Sequence, residues 1–135
     1  MASIIKDILI DAPAEAVWDA VADFGAVHRR FAPGFVVDTQ LEDGARIVTF
    51  GNGFVAREVF LGVDPAARRL AYSVRTERFE HHSASFQIED LGDGKSRLTW
   101  IADVLPDAVA PMVSGMMDQG LKVAQRTLGR VPAEA

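Results

Sequence analysis

Glu58 is the first side chain in this sequence whose surroundings favour chemistry. It lies in a predicted strand, where alternate residues share one face. The face of Glu58 also carries Ala56, Phe60 and Gly62. Among apolar neighbours the pKa of a carboxyl group rises, which suits a general base or a group that binds a ligand. The alternative is a glutamate at the rim of the sheet, paired with Arg57 or Arg75.

His82 is the second candidate. Its predicted strand places it on one face with Ala84, Phe86 and Ile88. His81 must point the other way because neighbours on a strand alternate, so the two histidines do not chelate one metal, and we expect no metal site. If Glu58 and His82 approach each other across an interior space, they form an acid/base pair that can move protons. The alternative is a polar pair that orients a bound molecule.

The sequence lacks the residues that several other kinds of site require. The sequence contains no cysteine, which excludes thiolate nucleophiles and cysteine-bound metals. It has no Gly-x-Ser-x-Gly motif, and Gly51-Asn52-Gly53 lacks the length and the Lys-Ser/Thr ending of a phosphate-binding loop. We therefore expect no cofactor. A formal net charge of -5 argues against nucleic acid as a partner.

The elements that must position these residues form an α+β pattern. A first strand over 3–10 precedes two short helices over 13–21 and 26–31. Six strands follow, over 35–42, 45–50, 54–64, 69–75, 82–90 and 96–104, the first two joined by a two-residue turn at Asp43-Gly44. A helix from 107 to about 130 would be about 36 Å long. This order predicts a seven-stranded, curved antiparallel sheet around a long C-terminal helix.

Small residues predict an interior space between that sheet and helix. Inward-facing positions of the sheet include Ala56, Gly62, Ala84 and Ala102, and the helix contains Gly115 and Gly120. Met112, Met116 and Met117 would line the space with flexible side chains, although methionines also fill gaps in ordinary cores. Tyr72 and Trp100 lie on inferred inward faces, each with one polar atom that needs a partner when buried.

Three passages carry a resemblance to a known family. They are Asp11-Ala12-Pro13-Ala14-Glu15-Ala16-Val17-Trp18 with Val21 and Asp23-Phe24, Arg57-Glu58-Val59 with Asp64 and Leu70-Ala71-Tyr72-Ser73-Val74, and Gly94-Lys95-Ser96-Arg97-Leu98-Thr99-Trp100. With the order of elements, they resemble the START-like (SRPBCC) superfamily of helix-grip proteins, in its polyketide cyclase/dehydrase-like branch. The resemblance covers nearly the whole chain. We expect a single domain over 1–131 and a frayed tail over 132–135.

The resemblance implies a small hydrophobic ligand, such as a lipid, a sterol-like molecule or an aromatic, polyketide-like compound. From the inward strand faces and the helix stripe, the residues that we expect to bind it are Glu58, Phe60, Tyr72, His82, Ala84, Phe86, Trp100, Met112, Met116 and Met117. An alternative is a polyketide cyclase or dehydratase in which Glu58 and His82 catalyse aldol closure or dehydration. A third reading is a partner-binding stress or regulatory module. In the similar plant receptors, a glutamate at the position of Glu58 reaches the ligand through water.

The remaining expectations concern location and assembly. The N-terminus lacks the apolar core of a secretory signal, and no run reaches the roughly 18 apolar residues of a membrane span. We therefore expect a cytoplasmic protein without a membrane span. Trp18 and the phenylalanines Phe31, Phe35 and Phe79 could seal a homodimer if they form one exposed patch.

Overall fold

A computed structural model describes residues 1–129 of the chain. The strands are β1 Ala2–Ile10, β2 Val36–Glu42, β3 Ala45–Phe50, β4 Val55–Asp64, β5 Arg69–Arg75, β6 His81–Gly92 and β7 Lys95–Leu105. The helices are α1 Ala14–Ala22, a π-helical turn Val27–Phe31, a 3₁₀ turn Asp107–Val109 and α2 Ala110–Gly129. The predicted tail over 132–135 lies outside the described residues.

All seven strands form one antiparallel sheet in the order β1-β7-β6-β5-β4-β3-β2. Consecutive strands from β2 to β7 are neighbours, and β1 returns to pair with β7, with Ile5 opposite Ile101. The turn at Asp43-Gly44 joins β2 to β3, and Gly44 adopts a φ of 72°, which glycine tolerates without strain. The predicted helix-grip fold is therefore confirmed, with both short helices after the first strand.

Helix α2 packs one face on the concave side of the sheet. Its buried residues are Val113, Met117, Gly120, Leu121, Ala124 and Leu128. These positions recur every three or four residues, as an apolar stripe on a helix does. The first turn of the predicted helix is instead the separate 3₁₀ turn at Asp107–Val109.

The two helix glycines do not create the interior space that we predicted from them. A Cβ at Gly120 would lie 3.0 Å from Cε2 of Phe35 and 3.2 Å from Cζ3 of Trp100. Aromatic rings therefore already fill the room that this glycine leaves. Gly115 is exposed on the opposite side of the helix, where an added Cβ would meet no atom within 4 Å. The glycine part of the prediction was wrong because aromatic rings fill the space beside Gly120 and because Gly115 faces away from the sheet.

A β-bulge in β4 changes the face that we predicted for this strand. Alternation holds through Ala56 and Glu58, which are buried, but the register with β5 shifts between Phe60 and Gly62. Phe60 is 39% exposed and packs edge-on against Phe24, with ring centroids 5.4 Å apart. Phe60 pairs with the inward-facing Tyr72 and keeps the predicted face, whereas Gly62 pairs with Ala71 on the other face, so the inward face of β4 ends at Phe60.

The phenylalanines that we considered for a homodimer do not form an exposed patch. Phe31 is only 4% exposed and packs edge-on against Phe86 at 5.1 Å. Phe35 and Phe79 line the interior cavity described below. Trp18 packs against the main apolar core.

No helix within residues 1–129 combines the length and the apolarity needed to cross a membrane.

Candidate functional site

A cavity of about 70 Å³ lies between the concave face of the sheet and α2. Its floor comes from five adjacent strands, which contribute Arg46 and Val48 from β3, Ala56 and Glu58 from β4, Tyr72 and Val74 from β5, His82 and Phe86 from β6, and Trp100 and Ala102 from β7. Helix α2 covers the floor with Val113, Met116 and Met117. The remaining wall is mostly aromatic, with Val27, Phe31, Ala32, Phe35, Val36, Phe50, Phe54 and Phe79.

The floor contains a buried ion pair between Arg46 and Glu58. The two residues lie opposite each other on β3 and β4. Nε and Nη2 of Arg46 lie 2.8 and 2.7 Å from Oε1 of Glu58, and both side chains are less than a tenth exposed. Nη1 of Arg46 donates to the carbonyl of Phe24 at 3.0 Å, and the guanidinium carbon lies 4.1 Å from the centre of the Phe24 ring. Within residues 1–129, Oε2 of Glu58 accepts no hydrogen bond.

Tyr72 continues this polar cluster toward β7. The guanidinium of Arg46 lies 5.4 Å from the centre of the Tyr72 ring, and the Tyr72 hydroxyl accepts a hydrogen bond from Nε1 of Trp100 at 3.1 Å. No residue among 1–129 accepts the hydroxyl proton. Burial, and then the negative charge of Glu58, raise the pKa of Tyr72, so this hydroxyl stays protonated at neutral pH. It is therefore a hydrogen-bond donor available to a molecule in the cavity.

Stacked aromatic rings form the floor of the cavity beside the polar cluster. Phe86 stacks on Trp100, with ring centroids 4.8 Å apart and planes 28° apart, and on Tyr72 at 6.0 Å and 24°. Antiparallel pairing sets this arrangement, because it places Phe86 directly opposite Trp100. A flat, apolar wall of this kind suits a ring system or another planar group.

His82 lies at one end of the cavity, with its ring edge-on to Phe79 at a centroid distance of 4.7 Å. Its Nδ1 is buried and has no hydrogen-bond partner in the part of the chain that the structure describes. Burial, and then the neighbouring charge of His81, lower the pKa of His82 to about 4. His82 is therefore neutral near pH 7, where its imidazole can accept a proton but is a poor acid.

Most of the predicted site residues come together here. Glu58, Tyr72, His82, Phe86, Trp100, Met116 and Met117 all line the cavity. Phe60 does not, because it packs against Phe24 at the edge of the inward face, outside the cavity. Ala84 is buried between Tyr72 and Ala102 on the neighbouring strands and does not line the cavity either.

Met112 also lies outside the cavity. It is 38% exposed at the edge of the α2 stripe, where its sulfur lies 3.8 Å from Nη1 of Arg78. Arg78 in turn places its guanidinium carbon 4.5 Å from the centre of the Phe54 ring. This arginine thus joins the β5–β6 link, the β3–β4 link and α2 at the edge of the cavity.

Arg46 is the main site residue that the sequence analysis missed. The sequence pattern indicated an inward position, because Arg46 shares its strand face with the apolar residues Val48 and Phe50. Burying an unpaired charge is costly, however, so an arginine in a strand is usually predicted to point outward. Only the pairing of β3 with β4, which brings Glu58 opposite Arg46, makes the inward position acceptable.

Chemically, the site combines an apolar space with a few polar groups. Within residues 1–129, no three His, Asp or Glu side chains lie together as metal ligands would. The groups available are a hydroxyl donor on Tyr72, a carboxylate oxygen on Glu58 and a neutral imidazole on His82. Such a set can orient a bound molecule, and it can also move a proton.

Known proteins match both the sequence and the fold. The family described as "Polyketide cyclase / dehydrase and lipid transport" matches residues 1–129. No curated protein matches the chain. Among solved structures, the protein XoxI from Bacillus cereus is 19% identical with a TM-score of 0.85, and the match covers 100% of this chain and 99% of XoxI.

Two further structures have related folds and carry descriptions of activity. The di-domain ARO/CYC BexL from the BE-7585A biosynthetic pathway is 20% identical with a TM-score of 0.84, over 98% of this chain and 48% of BexL. The Zhui aromatase/cyclase from Streptomyces sp. R1128 is 18% identical with a TM-score of 0.71, over 99% of this chain and 98% of Zhui. At these identities the likeness establishes the fold. Since the family match spans residues 1–129 of the 135-residue chain, the chain belongs to the polyketide cyclase/dehydrase and lipid transport family.

Proposed function

We propose that this chain binds a small, mainly apolar molecule in the cavity between the sheet and α2, and that aromatic molecules with one hydrogen-bonding group fit it best. One observation carries the proposal. In an otherwise apolar cavity, the Tyr72 hydroxyl proton and Oε2 of Glu58 have no partner within residues 1–129. A phenol or a ketone on the ligand would supply the missing partner, while its carbon skeleton would lie on the stacked rings.

The cavity is too small for such a ligand unless its walls move. Its volume of about 70 Å³ is far below the roughly 300–1,000 Å³ of typical ligand pockets. The walls must therefore move when a ligand binds. Met116 and Met117 have flexible side chains that can repack, and the contacts of Arg78 with Phe54 and Met112 can open without unpairing any strand.

The test uses 2-naphthol, an aromatic ligand with one hydroxyl group. The chain contains two tryptophans, so ¹⁵N labelling gives two indole N–H signals, and Trp18→Phe identifies the signal of Trp100. We expect 2-naphthol to shift the Trp100 signal, because that N–H donates to the Tyr72 hydroxyl. Tyr72→Phe should weaken binding in calorimetry by about tenfold, the value of one hydrogen bond.

Phe60→Leu is the matched control, because Phe60 lies outside the cavity. It should leave the affinity for 2-naphthol unchanged. Saturating 2-naphthol that leaves the Trp100 signal in place would overturn the proposal.

Catalysis is a second candidate, because Glu58 and His82 line the same cavity in a chain of this family. Aldol closure and dehydration both begin when a base removes a proton next to a carbonyl. In the proposed step, the C–H bond breaks, its proton passes to Nδ1 of His82 or to Oε2 of Glu58, and the enolate oxygen accepts a hydrogen bond from the Tyr72 hydroxyl. His82 would act as the base in its neutral form, which predominates at neutral pH, and its lowered pKa of about 4 makes it a weaker base than an ordinary histidine.

Deuterium exchange tests this step without knowledge of the natural substrate. We expect the protein to accelerate exchange of the α-protons of 2-tetralone in D₂O, followed by NMR. His82→Gln should remove most of the acceleration if His82 is the base, while His81→Gln should not, because His81 does not line the cavity. If neither His82→Gln nor Glu58→Gln slows the exchange, these residues are not the base.

A further inference from the structure

A second concave region adjoins the cavity where β5 and β6 separate. Their pairing ends at Ser73 opposite Ser83. Beyond that point β5 stays paired with β4 as far as Arg75, and β6 is paired with β7 from His81 onward. The gap between the diverging ends forms a groove of about 570 Å³, which we call the β5–β6 groove. Its lining residues are Ser73, Val74, Arg75, Thr76, Glu77, Phe79, Glu80, His81 and His82.

The groove and the cavity share a wall. Val74, Phe79 and His82 line both spaces. The wall is thus one side chain thick at this point, and it consists of side chains rather than paired backbone. The edge-on contact between Phe79 and His82, at 4.7 Å, closes it. Because this contact joins two side chains, it can open without breaking a strand pair.

The groove differs from the cavity in its chemistry. Nε of Arg75 donates to Oγ of Ser73 at 3.0 Å, and within residues 1–129 no carboxylate pairs with this guanidinium. Nε2 of His81 lies 3.0 Å from Oγ of Ser83. Glu77 and Glu80 also line the groove, and they are exposed, as Arg75 is, so water screens all three charges. Within residues 1–129, Arg75 is the one of the three whose side chain is held in place by a hydrogen bond. Arg75 is therefore the oriented charge at the groove floor.

Building on the proposed function, we propose that the β5–β6 groove binds the anionic group of an amphipathic carboxylate whose apolar part occupies the cavity. The connecting chain would pass between Phe79 and His82. A carboxylate confined in the apolar cavity would lose its hydration, whereas in the groove it keeps water and meets the Nη groups of Arg75. The ligand class is thus a fatty or aromatic acid with a few carbons between its apolar body and its carboxylate.

Four test ligands separate chain length from charge. They are 2-naphthoic acid, 4-(2-naphthyl)butanoic acid and the primary amides of both. The amides control for the added methylene groups, so the informative quantity is the ratio of carboxylate affinity to amide affinity in calorimetry. We expect a ratio below one for the short pair, because its charge stays in the cavity, and above ten for the long pair.

Arg75→Gln should bring the ratio of the long pair close to one. Arg69→Gln is the matched control, since Arg69 is an exposed arginine of the same strand outside the groove, and it should leave the ratio unchanged. A ratio that is the same for both chain lengths, or that Arg75→Gln does not change, would overturn the groove assignment. Binding of 2-naphthol would still support the cavity in that case, whereas failure of 2-naphthol to bind would overturn both proposals.

Discussion

Replacing Glu58 by Gln should destabilise the folded protein strongly. The substitution keeps the size of the side chain but removes its charge, which leaves the guanidinium of Arg46 buried. That group would keep the Phe24 carbonyl at 3.0 Å and the face of the Phe24 ring as its partners. Neither carries a formal charge, so the positive charge of Arg46 loses its counterion.

The cost follows from the geometry of the pair. The side chains of Arg46 and Glu58 are only 5% and 7% exposed, so water screens them poorly. At an effective dielectric constant of about 20, unit charges about 4 Å apart attract by about 4 kcal/mol. The amide oxygen of glutamine can still accept a hydrogen bond and recovers part of this. We expect a loss of about 3–4 kcal/mol, in line with the roughly 3–5 kcal/mol measured for broken buried pairs.

Urea denaturation followed by far-ultraviolet circular dichroism measures this loss. Glu42→Gln is the matched control, because Arg57 on β4 and Glu42 on β2 form a similar pair at 3.1 Å across β3, but both are nearly half exposed. It should cost less than about 1 kcal/mol. If Glu58→Gln lowers the free energy of unfolding no more than Glu42→Gln does, then water screens the pair of Arg46 and Glu58, and the pair is not buried in solution.

Three further predictions address His82, α2 and the methionines. Since the folded state holds the pKa of His82 near 4 and the unfolded state near 6.5, only the unfolded state binds a proton as pH falls between these values. Stability should therefore decline from pH 6.5 to pH 4 by an amount on the order of 2–3 kcal/mol for this group, and urea titrations of His82→Gln should show a shallower decline. Gly115→Ala should raise the melting temperature because helices favour alanine by about 0.5–1 kcal/mol, whereas Gly120→Ala should lower it because its Cβ would press on two rings. Met117→Gln should cost about 1–3 kcal/mol by burying an unpaired amide, while Met112→Gln, at an exposed position, should change stability by less than about 0.5 kcal/mol.

The sequence predicted the order of elements well because their signals are local. The turn at Asp43-Gly44 and the alternation over β6 each depend on a few neighbouring residues. The bulge between Phe60 and Gly62 in β4 could not be found in this way. An extra residue in one strand is defined only by the register of its partner, so the predicted inward face extended two positions too far.

Prediction of the candidate site failed where two elements had to be combined. Glu58 is buried, as one of its two interpretations predicted, but the partners considered for it, Arg57 and Arg75, belonged to the alternative at the rim of the sheet. Its partner is Arg46, which is opposite Glu58 only because of the pairing between β3 and β4. The assignment of Met112 failed for a similar reason. Met112 is next to the buried Val113 and five residues before the buried Met117, which places it at the edge of the stripe, and only the packed structure shows which edge meets the sheet.

The buried ion pair links stability to the proposed function. Apolar residues of matching volume often replace a buried ion pair without loss, or stabilise the protein by about 1–4 kcal/mol. The double variant Arg46→Met with Glu58→Leu should therefore fold at least as stably as the wild type, unlike Glu58→Gln alone. If folding alone required the pair, the double variant would unfold at lower urea; if the pair holds a carboxylate oxygen toward a ligand, the double variant would stay folded and bind 2-naphthol more weakly. Since Oε2 of Glu58 accepts no hydrogen bond within residues 1–129, we expect the second result.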